Sequence, residues 1–199
     1  MALDKEWAIQ FLDDFADRVI ENKQLLSDLD QAIGDGDHGV NMARGLTELK
    51  KAFSEKTPAT LKDVFKTTAM TLLSKVGGAS GPLYGSAFLN MSKKIDSDTL
   101  TKDQLPDIFE AGLEGIENRG KSHAGEKTMI DVWEPSINAM RQDEFTSDAI
   151  EAALQKTKDM KATKGRASYL GERSIGHLDP GAYSSSLLFQ ALLKSEGAE

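Results

Sequence analysis

KEWAIQFLDDFADRVIENKQLLS, residues 5 to 27, decides the fold class. Trp7, Phe11, Phe15 and Val19 recur every four residues. That spacing lays one apolar stripe along a helix and predicts a single long amphipathic helix over roughly residues 5 to 27. The same period continues down the chain. Val40, Ala43, Leu46, Leu49 and Phe53 mark a second helix, and Leu61, Phe65, Ala69, Leu72 and Val76 a third, stopped by Gly77-Gly78. A fourth starts at Pro82 and reaches about Lys94. Thr101 with Gln104 forms a capping box ahead of Leu105, Ile108, Phe109 and Ile116. A sixth helix covers Thr128 to Met140, with Pro135 either kinking it or lying in its first turn. Ser147 caps a seventh, and Asp179-Pro180 opens the last as N-cap and first helical residue. No segment alternates with the period-2 pattern of a half-buried strand. The expectation is an all-α, single-domain barrel or bundle of about eight antiparallel helices spanning residues 1–199.

Composition narrows the functions open to such a bundle. The 199 residues are 39% hydrophobic, with no apolar run approaching the roughly 20 residues a membrane span needs. The N-terminus MALDKEWAIQF carries acids where a signal peptide has an apolar core, and the absence of cysteine excludes disulfides and thiolate metal sites. A cytoplasmic protein without a membrane role is expected. The net charge of -8, with no cluster of Lys and Arg, excludes tracking of a nucleic-acid backbone. A small anionic ligand remains open, provided that a metal, an arginine or helix N-termini supply local positive charge.

Two motif matches fail on context. GIENRGKS, residues 115 to 122, satisfies GxxxxGK[ST], but helical LPDIFEAGLE precedes it where a P-loop needs a buried strand. DGDHG misses the EF-hand spacing in both registers. From Asp35, position 12 is Leu46 where a bidentate Glu is required; from Asp30, position 3 is Ala32.

What survives is IGDGDHGVNMARG, residues 33 to 45, with Asp30 just upstream. Asp30, Asp35 and Asp37 around a glycine-bent turn offer hard oxygen ligands of the kind Mg²⁺ takes, at a helix start whose free N–H groups favour phosphate. Spacing alone leaves an acidic turn with Asp37 as a plain N-cap equally open. GGASGP (77 to 82) offers N–H groups and the Ser80 hydroxyl, or is a simple helix joint. KGRASYLGERSIGHLDPGA (164 to 182) is too long for an idle connection and too apolar for disorder; Arg166 or Arg173 in it could offset phosphate charge or merely pair on the surface. Met129 suits an apolar wall for a base, or the core. His38 adjoins the carboxylates, whereas His123 and His177 read as structural.

DQAIGDGDHGVNMARG, VGGASGPLYG and KGRASYLGERSIGHLDPGA, in this order, resemble the nucleotide-binding DhaL subunits of dihydroxyacetone kinase, in particular the stand-alone subunit of the phosphoenolpyruvate-dependent bacterial system. The resemblance covers essentially the whole chain. It implies an eight-helix barrel holding ADP and two Mg²⁺ ions at one rim, with Asp30, Asp35 and Asp37 as metal ligands. His38, Gly39, Val40, Asn41, Ala79 and Ser80 would lie at the phosphates; Gly120, Met129, Arg166, Asp179, Pro180 and Gly181 would line the rest of the nucleotide site. No catalytic side chain is implied. The resident ADP would be recharged to ATP by a phosphohistidine-carrying subunit of the phosphotransferase system. Its γ-phosphoryl would then pass to dihydroxyacetone held on a separate substrate-binding subunit. The alternatives are a nucleotide domain of an ATP-dependent dihydroxyacetone kinase or fatty-acid kinase, usually fused to a second domain for which this length leaves no room, and a non-catalytic helical cation-binding protein.

Overall fold

The computed structural model describes residues 2–197. Among them nine α-helices form, and extended pairing is confined to one isolated bridge between Leu3 and Leu100. They are α1 (Lys5–Glu21), α2 (Lys23–Ile33), α3 (His38–Glu55), α4 (Leu61–Lys75), α5 (Ser80–Lys94), α6 (Leu105–Gly120), α7 (Ile130–Arg141), α8 (Ser147–Asp159) and α9 (Pro180–Ser195). A short 3-10 turn at Lys102–Gln104 carries the expected Thr101/Gln104 capping box, and a longer one at Arg166–Ser174 lies between α8 and α9.

The long first helix is broken. Asn22 leaves helical geometry (φ -95°, ψ 12°) and its side-chain amide donates to the Arg18 carbonyl at 2.8 Å, closing α1 and releasing α2 in a new direction. An asparagine side chain that competes for backbone carbonyls is a sufficient cause. Two smaller corrections concern caps and faces. Thr146, not Ser147, caps α8, its hydroxyl accepting from Ala149 N at 3.2 Å. Val40 is half exposed in the first turn of α3, whose core face is Met42, Leu46, Leu49 and Phe53. Pro135 sits inside α7 at its sixth residue.

Helices α1, α3, α4, α5, α6, α7, α8 and α9 each pack on the next, and α9 closes on α1. The eight-helix ring is therefore real, with α2 laid against α3 and α9. Its interior is aromatic. Phe11 of α1, Phe109 of α6, Trp133 of α7 and Phe189 of α9 have essentially no exposed surface. Ring centroids are 6.4 Å apart for Phe11–Phe109, 5.9 Å for Phe109–Trp133 and 5.3 Å for Trp133–Phe189, the last pair edge-on. Lys194 and Trp7 seal the closure, the lysine reaching Asp14 at 2.8 Å and the indole N–H donating to Ser195 Oγ at 3.0 Å. No helix among the described residues is long and apolar enough to cross a membrane.

GIENRGKS ends α6 rather than starting a helix: residues 115 to 120 are its last turns and Lys121 turns left-handed (φ 51°). That is helix termination and not a phosphate loop.

Candidate functional site

At one rim of the ring lies a cleft of about 520 Å³. Helices α3, α5, α7 and α9 all begin there, at His38, Ser80, just after Met129 and at Pro180, while α2 and α4 end at it. Four helix N-termini thus converge on one cavity. Each brings the positive end of a macrodipole to the cleft of a protein whose net charge is -8, although at α7 and in part at α3 and α9 the first N–H groups are already bonded within the protein.

The edge between α2 and α3 is acidic. Asp30, Asp35 and Asp37 each place a carboxylate oxygen so that all lie within 4.8 Å of one another. Asp30 is buried at the end of α2, and its Oδ2 accepts from Asp37 N at 2.8 Å and His38 N at 3.0 Å. The cap of α3 is therefore supplied by Asp30 from the neighbouring helix. Asp37 occupies the N-cap position without making a side-chain cap bond, so its carboxylate is not consumed by folding. Two glycines are forced here. A Cβ at Gly34 would stand 2.1 Å from Asp30 Oδ1, and one at Gly39 would stand 1.9 Å from the Lys23 carbonyl of α2. The glycines let α2 and α3 close enough for Asp30 to reach across.

The donor set is all carboxylate oxygen, with no thiolate or imidazole among the three, which suits a hard cation such as Mg²⁺. Arg166 Nε meets Asp35 Oδ2 at 3.0 Å, drawing the 164 to 182 segment over the mouth of the cleft.

Beside the acids, Ser80 Oγ lies 2.9 Å from His38 Nδ1, and His38 Nε2 is 2.9 Å from Ser184 Oγ. Burial pushes the His38 imidazole down to about 4, with the Asp37 charge opposing only in part, so at neutral pH it is uncharged. Asp179 caps α9, Oδ2 accepting from Ala182 N at 2.8 Å. Its burial raises the carboxyl to about 7 despite that bond and the charge of Lys127. Met129, 3% exposed, backs on Gly181 where the starts of α7 and α9 meet.

Of the expected residues, Asp30, Asp35, Asp37, His38, Asn41, Ala79, Ser80, Met129, Arg166, Asp179, Pro180 and Gly181 line this one cleft. Gly39 faces α2, Val40 points outward, and Gly120 stands behind Leu83, which does line it. Lys127 carries no signal in the sequence pattern. It is 1% exposed, left-handed at φ 62°, and donates all three ammonium hydrogens to backbone carbonyls: Met160 at 3.1 Å, Ser174 at 2.8 Å and His177 at 2.6 Å. A lysine so committed holds the 160 to 178 segment against α7. Its ammonium has no hydrogen left for a ligand.

The class the structure defines is a closed helical ring that gathers three carboxylates and the starts of four helices at one rim cleft. The chain belongs to the DAK2-domain family, whose pattern matches residues 32–194. It is 74% identical over 196 residues to "PEP-dependent dihydroxyacetone kinase 1, ADP-binding subunit DhaL" of Listeria innocua, covering 98% of this chain and 99% of that one. It is 40% identical over 204 residues to the corresponding ADP-binding DhaL subunit of Escherichia coli, covering 96% and 97%. Triokinase/FMN cyclase of Rattus norvegicus is 31% identical over 198 residues, and the match spans 92% of this chain but 34% of that protein. These similar proteins are kinases or kinase subunits. Among solved structures, the dihydroxyacetone kinase from C. freundii in complex with AMP-PNP and Mg²⁺ shares the fold, with a TM-score of 0.76 at 21% identity. This chain is covered to 98% and spans about a third of that larger chain, 35%.

Proposed function

We infer that this protein is the ADP-binding subunit of a phosphoenolpyruvate-dependent dihydroxyacetone kinase. The observation that carries the reading is the placing of Asp30, Asp35 and Asp37 in a cleft at which four helices begin. A nucleotide diphosphate needs both halves: a cation on its phosphate oxygens and donors behind them. The near-full-length similarity to ADP-binding DhaL subunits supplies the ligand's identity.

In this reading Asp30, Asp35 and Asp37 hold two Mg²⁺ ions, which supply neutralisation of phosphate charge when bound. Gly78, Ala79 and Ser80 and the first turn of α3 receive the phosphates, with Asn41 beside them. Met129, Pro180 and Gly181 give the apolar bed for the base. Arg166 covers the mouth, and Gly39, Val40 and Gly120 act from behind the lining or from its outer edge. No side chain here need attack phosphorus, because phosphoryl transfer depends on positioning and electrostatics. The acceptor, dihydroxyacetone, belongs on a partner kinase subunit, and a phosphohistidine subunit of the phosphotransferase system recharges the bound ADP to ATP. All 199 residues act as one nucleotide-binding domain.

Native mass spectrometry tests this directly. The purified protein is expected to carry, or to take up when supplied, the mass of ADP plus two Mg²⁺, and to lose both together on addition of EDTA. A chain that takes up Mg²⁺ but never ADP would overturn the reading in favour of a plain cation-binding protein.

A further inference from the structure

Beneath the cleft a chain of polar groups runs through the core. Trp133 Nε1–H donates to Ser185 Oγ at 3.0 Å, and Ser185 Oγ is 2.9 Å from the Tyr84 hydroxyl. Tyr84 is 2.7 Å from Ser184 Oγ, which is 2.9 Å from His38 Nε2, and His38 Nδ1 is 2.9 Å from Ser80 Oγ on the cleft wall. Trp133, Tyr84, Ser184 and Ser185 have no exposed surface, so bulk water offers them no alternative partner.

The chain has a direction. An indole N–H can only donate, so Ser185 accepts there, and Tyr84 is the one remaining partner among the described residues for the Ser185 proton, which otherwise stays unpaired in the core. Tyr84 must then send its proton to Ser184. At Ser184 the path forks, because its hydroxyl also lies 3.1 Å from the Gly181 carbonyl. In one arrangement Ser184 donates to His38 Nε2, His38 Nδ1–H donates to Ser80, and the Ser80 proton faces the cleft. In the other Ser184 donates to Gly181, His38 Nε2–H donates to Ser184, Ser80 spends its proton on Nδ1, and the cleft sees only an oxygen lone pair.

We propose that the buried chain Trp133–Ser185–Tyr84–Ser184–His38 sets the Ser80 hydroxyl as a hydrogen-bond donor to phosphate in the cleft, which makes Tyr84 and Ser184 positioning residues for the nucleotide. The proposal rests on the nucleotide reading above. Phosphate oxygens in their ionised form only accept, so a bound phosphate selects the first arrangement. Tyr84 favours it, since with the Tyr84 O–H as a donor Ser184 keeps an accepted bond while spending its own proton on His38 Nε2; without Tyr84 it would accept only from His38 Nε2–H. Removing that hydroxyl turns Ser184 toward the imidazole for a donor and favours the second arrangement.

The test uses the full-length protein with Mg²⁺. Long-range ¹H–¹⁵N NMR of the imidazoles is expected to show His38 as the Nδ1–H tautomer when ADP is bound, and a shift toward Nε2–H in Tyr84→Phe. By calorimetry, Tyr84→Phe should weaken ADP about tenfold, the value of one hydrogen bond to a charged group, while adenosine affinity is unchanged. Ser80→Ala should lose a similar factor, and adding Tyr84→Phe to it should cost nothing more. Ser184→Ala severs the same path one step nearer the cleft and should repeat the ADP-specific loss. An Nε2–H tautomer in the ADP complex, equal weakening of ADP and adenosine, or additive losses in the double variant would each overturn the relay. Wild-type protein that binds no ADP would instead overturn the nucleotide reading beneath it.

Discussion

Asp30 joins folding to chemistry, and replacing it by alanine separates the two. In metal-free protein two effects oppose. Its carboxylate accepts the Asp37 and His38 N–H groups at 2.8 and 3.0 Å from a buried position, and losing it orphans two donors at the start of α3. Hydrogen bonds to a charged group contribute about 1.5–3 kcal/mol each, and loss of a helix cap alone costs about 1 kcal/mol, so a deficit of about 3–4 kcal/mol is reasonable after some water enters. Against that, Asp30→Ala relieves repulsion from Asp35 and Asp37, whose ligand oxygens lie within 4.8 Å. At this distance each pair costs about 1 kcal/mol in a water-like dielectric, and Arg166 already offsets the Asp35 charge. Bonding wins by about 2 kcal/mol, which lowers Tm by about 4–8 °C in a chain of this size. Asp35→Ala removes only an exposed ion pair and the same repulsion, so it should match or exceed wild type. Thermal unfolding followed by circular dichroism in EDTA gives the expected order Asp35→Ala at or above wild type, and wild type above Asp30→Ala. With Mg²⁺ and ADP added, only wild type should gain stability. A metal-free Asp30→Ala that melts at or above wild type would show that this carboxylate is merely a repelling charge, and the capping argument would fall.

Two further outcomes follow from buried groups. The His38 imidazole sits at about 4 in the folded protein against 6.5 ordinarily, a depressed value, so the unfolded chain takes the proton first as pH falls. Its contribution is complete above 6.5 and declines as pH drops toward 4, by about 3 kcal/mol across that window; urea unfolding should show a shallower acid slope in His38→Gln, and identical slopes would contradict the assignment. Lys127→Met leaves three carbonyls unpaired, at Met160, Ser174 and His177, so amide hydrogen exchange over residues 160 to 178 should accelerate more than in the ring helices; a uniform change would deny the lysine its fastening role.

The fold was largely legible because its signals are periodic and local. Phe11, Phe15, Phe65 and Phe109 announce helix faces without any knowledge of partners, and the Thr101/Gln104 box and Asp179-Pro180 fix two helix starts to the residue. The break at Asn22 was less visible, since apolar spacing runs on through Leu26 and one asparagine costs a helix little until its side chain finds the Arg18 carbonyl. The acidic edge of the site could be read because like charges gathered around glycines are unusual, whereas spacing could not tell an N-cap from a free carboxylate at Asp37. Only the structure shows Asp30 taking the capping role across from α2. Lys127 and Ser184–Ser185 were hidden for a different reason. A lysine or a serine pair in sequence reads as surface, and nothing local reveals that residues far along the chain will enclose them.

The ring closes through its first and last helices, with Trp7 on Ser195 and Asp14 on Lys194. During translation this imposes an order. Neighbours such as α4 and α5 can pair as they leave the ribosome, but α1 must wait with one flank uncovered until α9 is made. The start of α9 also completes the rim at Asp179 to Gly181, so the nascent chain has no finished cleft to offer a nucleotide. Chaperone engagement during synthesis should therefore concentrate on the apolar face of α1, and shortening the chain ahead of α9 should yield a species that binds chaperone and no ligand.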